Sequence, residues 1–548
     1  RGAGWSGRRA VRCLHGVDVD GTAAALAALA VWEEAGDRAL DPLAIAAQIR
    51  AGDGLVDLVP GSFDAVLTNP PWETLQSGPD AAARVAALRP RFRHQGRGKL
   101  FTYRLFVERA HELLRTGGRL GAIVPASLWF DRDAEPLRRL LLDECGWEWS
   151  FGMENRKRLF PIDSRYRFGI VIAQKGGATT AMKTAFGRAD AGEWAAAEPP
   201  HVIYGRDELR AASPHSGAFV EVEHRTDLEL LLRMQRAGTP LTGAGGVFTW
   251  RQGDFNMTAD HDQFVPCERA EADGWLQGGD AVWRRPGHPD LLPLWQGAMQ
   301  YDLQPNTGAH VGGTGHQTKW AAPVDPHRLG PAFLVAAAPW RAAALRRCRT
   351  RIALRALSNA TNERTAIACL LPDVPCGNSL GVLEPRLHTS SPLRLLAFGA
   401  AVLGSLSFDW SLRLRLGGTN LNGFVLADCV LPRADDAVVA ELATLALRLC
   451  GTLSAHDSLW TMARAEGWAA DARPATAPQE RRALATRIDV LVGRAFALER
   501  DDVAWITRGC GSDEAGVAFP KGFFRIERDL APAERRPARW RALAGSGD

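Results

Sequence analysis

The clearest pattern along the chain is a short apolar run that stops abruptly. Phe63-Asp64-Ala65-Val66-Leu67-Thr68 leads straight into Asn69-Pro70-Pro71-Trp72. The run predicts a buried, central strand of a parallel sheet. The two prolines lack N–H donors and fix the backbone, so the strand ends at them. A residue before proline is kept out of the helical region, which holds Asn69 extended with its amide aimed off the sheet edge. In open α/β sheets, ligands bind beyond the carboxyl ends of the strands, and Asn69 to Trp72 occupies that position.

Similar patterning places the neighbouring elements. Val11 to Val19 reads as a strand and Thr22 to Ala35 as an amphipathic helix stopped by Gly36. Ile45 to Arg50 reads as a strand that turns at Ala51-Gly52-Asp53-Gly54. Leu100 to Leu114 follows as a helix with its stop at Thr116-Gly117-Gly118. Arg119 to Pro125 is a strand, Glu135 to Cys145 a helix, and Trp147 to Met153 and Arg167 to Gln174 two further strands. The Gly/Ala-rich stretch from Gly176 to Pro200 suggests a linker. These boundaries predict an α/β domain over 1–176, a connecting segment over 177–218, an aromatic-rich α+β domain over 219–434 and a helical C-terminal segment over 435–548. The charged stretch Phe519 to Arg541 closes the second domain.

Composition narrows the class but not the partner. The chain has 548 residues, 46% hydrophobic and 23% charged, with a net charge of +4. Those are the proportions of a soluble globular protein with several domains. Arg carries nearly all the positive charge, which suits bidentate phosphate and guanine contacts and also follows from a GC-rich genome. The nine cysteines are scattered without a C-x-x-C pair. That argues against a zinc site or disulfide framework and fits a reducing cytoplasm. No run is long and apolar enough to span a membrane. The chain starts without Met, within what looks like a fold already under way, and reads as a fragment.

The chemistry suited to the Asn-Pro-Pro-Trp loop is transfer to an exocyclic amino group. Asn69 Oδ1 and the Pro70 carbonyl can each accept one N–H bond from an aryl amine, with Pro71 fixing the turn. Those bonds favour a pyramidal nitrogen and free its lone pair for in-line attack. Trp72 offers a face for a flipped base, and Phe160 a second face opposite it, or else an ordinary core aromatic. Asp18 is placed to accept ribose hydroxyls, or is a solvent carboxylate at a strand end. Asp20 caps the following helix. Asp53 could accept an adenine amino hydrogen, or belong to a plain turn. The run from Arg84 to Lys99 carries Arg91, Arg93, Arg97 and Lys99 among glycines. It suits DNA phosphates as a loop that orders on binding, or is a solvated charge run.

Taken in register, these residues resemble the gamma-type adenine-N6 DNA methyltransferases, in particular their type IIG restriction–modification branch. The resemblance rests on Asp18, Asp53, Asn69-Pro70-Pro71-Trp72, Gly98-Lys99…Tyr103…Phe106…Glu108…Ala110, Gly117-Gly118…Pro125 and Phe160-Pro161, and covers the first third strongly. It implies a Rossmann-like sheet that uses S-adenosyl-L-methionine, followed by a target recognition domain on double-stranded DNA. By resemblance, Asn69, Pro70 and Trp72 engage the target adenine, Phe160 stacks on it, and Asp18, Val19, Asp53 and Phe106 line the cofactor site. The chain departs from the pattern at Gly54, where relatives often carry a bulky apolar residue. The Asp/Glu-x-x-x-Gly-x-Gly turn and its strand are absent before Val11, which implies truncation there.

Downstream, Gly253 to Thr258, Trp295 to Asp302, Asn362 to Thr365 and Gly417 to Asn422 look like pieces of the recognition half. There Arg364, Asn420 and Asn422 are candidate DNA contacts, with Arg351, Arg355, Arg413 and Arg415 also facing DNA. Two alternatives remain: amino-group methylation of protein or RNA, where the same motif occurs, and a recognition fragment without a competent cofactor site; a cytosine-C5 enzyme is disfavoured. The last needs a cysteine nucleophile in the strand-four loop, whereas Pro266-Cys267 and Pro375-Cys376 lie far downstream. No nuclease cluster is visible, so a nuclease or helicase domain of the parent chain would sit upstream.

Overall fold

The computed structural model describes residues 11–75, 80–195, 199–343, 350–360, 362–386, 390–508, 527 and 529–544. The chain divides into two compact units, Arg1–Asp207 and Glu208–Asp548.

In the first unit, β1 (Gly16–Asp18) leads into α1 (Gly21–Ala35). Asp20 caps α1 by accepting from the Thr22 and Ala23 amides, and the helix ends at Gly36 with φ 66°. That left-handed turn is one glycine adopts without steric cost. Most of the expected strand over Ile45–Arg50 is instead helical: α2 spans Pro42–Gln48, with Asp41 accepting from the Leu43 amide. Only β2 (Ile49–Ala51) is extended, and it pairs in parallel with β1. The strand expected over Val11–Val19 shrinks to the three residues that β2 can pair. The two form a sheet of their own, separate from the main one.

The main sheet has six strands in the order β3-β4-β6-β5-β7-β8. Here β3 is Phe63–Thr68, β4 Leu114–Pro125, β5 Cys145–Glu154, β6 Arg167–Lys175, β7 Ala181–Arg188 and β8 Val202–Gly205. The bounds of β3 are those expected, but its position is not. It is an edge strand, parallel to β4 on one side and unpaired on the other among the described residues. Leu67 is 86% exposed. The expectation of a buried central strand fails because the β1–β2 pair does not hydrogen-bond onto it, although the His15 and Phe63 rings meet edge-on at 5.7 Å.

Two further boundaries differ. The helix over Thr102–Leu113 (α4, after α3 over Ala81–Leu88) runs directly into β4, so Thr116-Gly117-Gly118 lies within that strand, beside a break in the β3 pairing register. The segment expected as a linker over 177–218 supplies β7 and β8, whose inward residues Met182, Thr184 and Phe186 are buried. Trp129, Leu137, Leu141, Trp147, Val171 and Ala173 fill the core around the sheet.

The second unit holds a four-stranded antiparallel sheet (Phe248–Gln252, Leu380–Pro385, Arg351–Arg355, Ala368–Leu371) and a five-stranded one built on Phe333–Ala336 and Leu291–Pro293. Helices dominate from Asp436 onward, including Asp436–Cys450 and Pro478–Ala495. The expectation for Phe519 to Arg541 falls partly outside the described residues, within which Arg536–Leu543 is helical. No single helix among the described residues is long and apolar enough to cross a membrane. No group of three or more His, Cys, Asp or Glu side chains among them could hold a metal ion.

Candidate active site

The Asn-Pro-Pro-Trp loop leaves the carboxyl end of β3 and is pinned to the start of α4. The Thr102 hydroxyl lies 2.6 Å from the Pro71 carbonyl and 3.0 Å from that of Glu73. The Thr102 amide donates to Glu73, and the Leu75 amide to Leu100. Asn69 is exposed while Pro70 is buried. The backbone of the loop is thus fixed while the Asn69 amide stays open to solvent. Sequence reasoning missed Thr102, whose signal would have been a hydroxyl residue at the first turn of the helix following the motif.

Trp72 stacks on Phe168 at 5.8 Å and 29°, and meets Phe160 edge-on at 5.5 Å and 68°. Phe160 in turn stands edge-on to Phe168 at 4.8 Å. The expected arrangement, with Trp72 and Phe160 on opposite sides of a base, is therefore not the one present. Their rings touch, and no slot separates them. Asn155 fixes Phe160 by accepting from its amide and donating to its carbonyl. The Trp72 Nε1 is buried with no hydrogen-bond partner, a desolvation cost left uncompensated.

Asp18 and the Asp53 turn sit at the carboxyl ends of the adjacent parallel strands β1 and β2. One Asp18 oxygen accepts from the Asp20 amide at 2.8 Å, and its carbonyl accepts from Gly52. Asp18 and Val19 are exposed. Asp53 accepts from the Leu55 amide at 2.9 Å. A Cβ added at Gly54 would stand 3.1 Å from Phe106 Cε1, so the bare glycine backbone lies directly against that ring. An open carboxylate, a polar turn and a half-buried aromatic face are the donor set an adenosine group needs. The described residues thus fit the nucleoside part of S-adenosyl-L-methionine.

The expected basic loop also differs from expectation. Arg84 lies in α3, and the remainder is firmly held rather than loose. Glu108, 4% exposed on α4, accepts from the amides of Arg93 (2.7 Å) and His94 (3.1 Å), and from the Gln95 side chain at 2.6 Å. His94 Nδ1 completes the set at 3.0 Å. Burial pushes the Glu108 carboxyl up, but these four bonds outweigh it and hold it below its ordinary value. The hydrogen bond to Glu108 raises His94 in turn, against a smaller opposing effect of burial. Arg89 reaches the Gly96 and Gly98 carbonyls. Arg91, Arg93, Arg97 and Lys99 are left exposed.

The second unit overturns several DNA assignments. Arg364 is 4% exposed and bonded to the Gly404 carbonyl, with Asp302 at 3.3 Å and Asp409 at 3.7 Å. Arg413 is paired with Asp409, and Arg351 with Asp254; Arg413, Asp409 and Arg351 are buried. Arg415 donates to the Ser411 and Ala212 carbonyls, and Arg355 to those of Gly297 and Gln300. These guanidinium groups hold the interior together and do not face DNA. Asn420 and Asn422 are exposed, on a loop whose backbone pairs with Leu357. Cys267 and Cys376 are buried, and burial pushes the Cys267 thiol up to about 12, the reverse of what a nucleophile requires.

A mixed α/β unit with polar residues gathered beyond the carboxyl ends of its parallel strands belongs to the broad class of ligand-binding open sheets. More particularly, residues 12–160 match the family described as Eco57I restriction-modification methylase, so this stretch is similar to a restriction–modification methylase. No curated protein matches the sequence. Among solved structures, the type IIL restriction-modification enzyme MmeI in complex with DNA is 12% identical, with a TM-score of 0.43 over 80% of this chain and 55% of that one. The type IIG restriction endonuclease BpuSI is 12% identical, with a TM-score of 0.29 over 81% of this chain and 55% of that one. The ATP-dependent type ISP restriction-modification enzyme LlaBIII bound to DNA is 10% identical, with a TM-score of 0.38 over 71% of this chain and 30% of that one. The chain thus spans about half the length of the first two, at 55% each.

Proposed function

We propose that this chain is the methyltransferase and target-recognition part of a restriction–modification or phage-defence enzyme, working in the cytoplasm. It would transfer a methyl group from S-adenosyl-L-methionine to adenine N6 in duplex DNA. The observation that carries the reading is the exposed Asn69 amide, set on a pinned Pro-Pro loop in the unit that also holds Asp18, the Asp53 turn and Phe106. The match of residues 12–160 supports it.

In this reading the bound cofactor supplies an electrophilic methyl group. Asn69 Oδ1 and the Pro70 carbonyl accept the two amino hydrogens of adenine and turn its lone pair toward that methyl. The amine gives up its proton to water after attack. Asp18 takes ribose hydroxyls, Asp53 the cofactor's adenine amino group, and Phe106 stacks beside Gly54 with Val19 at the rim. A target base enters only if Trp72 or Phe160 gives way, because their rings are in contact.

In the test, Asn69→Ala should bind duplex DNA as before and lose at least about 100-fold in methyl transfer. Nuclease digestion of the labelled product would identify the modified base. Full turnover by the variant, or label on any base but adenine, would overturn the reading.

One observation favours a second reading, that of a recognition fragment lacking a competent cofactor site. The strands bearing Asp18 and Asp53 are on a separate ladder from the strand bearing Asn69. Calorimetry with S-adenosyl-L-methionine separates the two, since the fragment reading predicts no binding heat.

A further inference from the structure

The basic loop is held by a single buried carboxylate. Glu108 has two oxygens, and each accepts twice: Oε1 from the Arg93 amide and His94 Nδ1, Oε2 from the His94 amide and the Gln95 side chain. Four donors from three consecutive residues fill the roughly four acceptor positions of a carboxylate. The far end of the loop is equally constrained. Arg89 bonds the carbonyls of Gly96 and Gly98. A side chain at either glycine would overlap Asp133, so the loop packs backbone-first against the turn before Glu135. Four cations, Arg91, Arg93, Arg97 and Lys99, project outward from this frame, and none of them has an ion-pair partner among the described residues. A loose tail would leave its charges mobile; here the fold holds their backbone in place before any ligand arrives.

We infer that Glu108 is a positioning residue for DNA binding, which pre-shapes residues 89–99 into a rigid cradle for the phosphates of duplex DNA. The inference rests on the DNA reading above and adds to it the source of the loop's order. The same loop would bind without Glu108 only after ordering itself, and so more weakly. Phosphate neutralisation releases counterions, so the contribution of such a cradle is read in the salt dependence of binding.

Glu108→Gln tests it with almost no change of shape. The glutamine amide nitrogen replaces one acceptor oxygen with a donor and so faces N–H groups with N–H groups. The full chain should then be cut by trypsin within residues 89–99 at least about tenfold faster, with the rest of the digest unchanged. Its affinity for a duplex should fall at least about tenfold, with the slope of log K against log salt kept, because a loop that orders on binding makes the same phosphate contacts. The four-fold variant R91Q/R93Q/R97Q/K99Q should instead reduce that slope by about 3–4.

Failure of each part has a separate meaning. If Glu108→Gln leaves both trypsin resistance and affinity intact while the four-fold variant loses slope, the clamp is overturned and the DNA reading stands. If the four-fold variant keeps the full slope, the loop does not meet DNA and the inference falls with that part of the reading. If Glu108→Gln opens the loop without lowering the affinity, pre-shaping is overturned.

Discussion

The basic loop of the first unit and the interior of the second use arginine in opposite ways. In the first, Arg91, Arg93 and Arg97 stand exposed on a loop whose one nearby buried carboxylate, Glu108, is saturated by backbone and neutral partners. In the second, Arg351, Arg364, Arg413 and Arg536 are drawn inside by Asp254, Asp302, Asp409 and Asp489. In the second unit carboxylates and carbonyls take the hydrogens of these interior guanidinium groups, whereas those of the loop are left exposed. The acids in the second unit are not all alike. At Asp409 burial raises the carboxyl, but Arg413 and Arg364 outweigh it and the net shift is down. At Asp489 burial prevails over Arg536 and the net shift is up. Composition alone cannot distinguish such interior arginines from those of a DNA-binding face.

The largest effect that would sharpen this contrast is at Asp409, which accepts from Arg413 at 2.7 Å and from the Thr365 and Ala366 amides at 2.8 Å. Asp409→Ala leaves these donors buried and unpaired, at a cost of about 3–5 kcal/mol. Urea unfolding followed by the fluorescence of buried Trp410 should register that loss, with no change in the salt slope of DNA binding. At the exposed loop the pattern should invert. Arg97→Gln should shift stability by no more than about 0.5 kcal/mol, yet reduce the salt slope by about 1. A stability loss at Arg97 comparable with that at Asp409 would erase the distinction.

A smaller effect is expected from pH. His94 is raised above its ordinary 6.5 in the fold, so its share of the clamp is complete below that value and fades as pH rises through the raised one. Glu108 is lowered from its ordinary 4.5, so its share is present above that value and fades as pH falls through the lowered one. The clamp is therefore strongest between the two ordinary values. Glu144 adds to the rise at His94 and Arg93 opposes it. Hydrogen exchange at the Arg93 and His94 amides should lose no more than about tenfold in protection from pH 6 to pH 8. Those amides bond to Glu108 whatever the state of His94.

Where local chemistry decides the outcome, the sequence was a sound guide. Phe63–Thr68, the Asp20 cap, the Gly36 stop and most of Thr102–Leu113 follow from residues within one turn of each other. The errors have physical causes of two kinds. Ile45 to Gln48 is too short an apolar run to distinguish strand from helix, although Asp41-Pro42 is a helix-start signal. The others depend on distant partners. That β3 lies at an edge is settled by which strands pair with it, and the burial of Arg364 by acids remote in sequence. The place of Asn69 after Phe63–Thr68, and of Asp18 at the end of its strand, could be read from motifs. The contact of Trp72 with Phe160 could not, because it depends on how Phe168 and Asn155 place both rings.

For anyone wishing to express the halves separately or to graft a new specificity onto this scaffold, the continuation of the main sheet through Ala181–Arg188 and Val202–Gly205 decides where to cut. A junction in the glycine-rich stretch at Gly176 looks harmless but would amputate two strands and uncover Phe151 and Met153 along a raw flank. A junction between Gly205 and Arg206 keeps all six strands and spares the helix Arg206–Ala212 that follows.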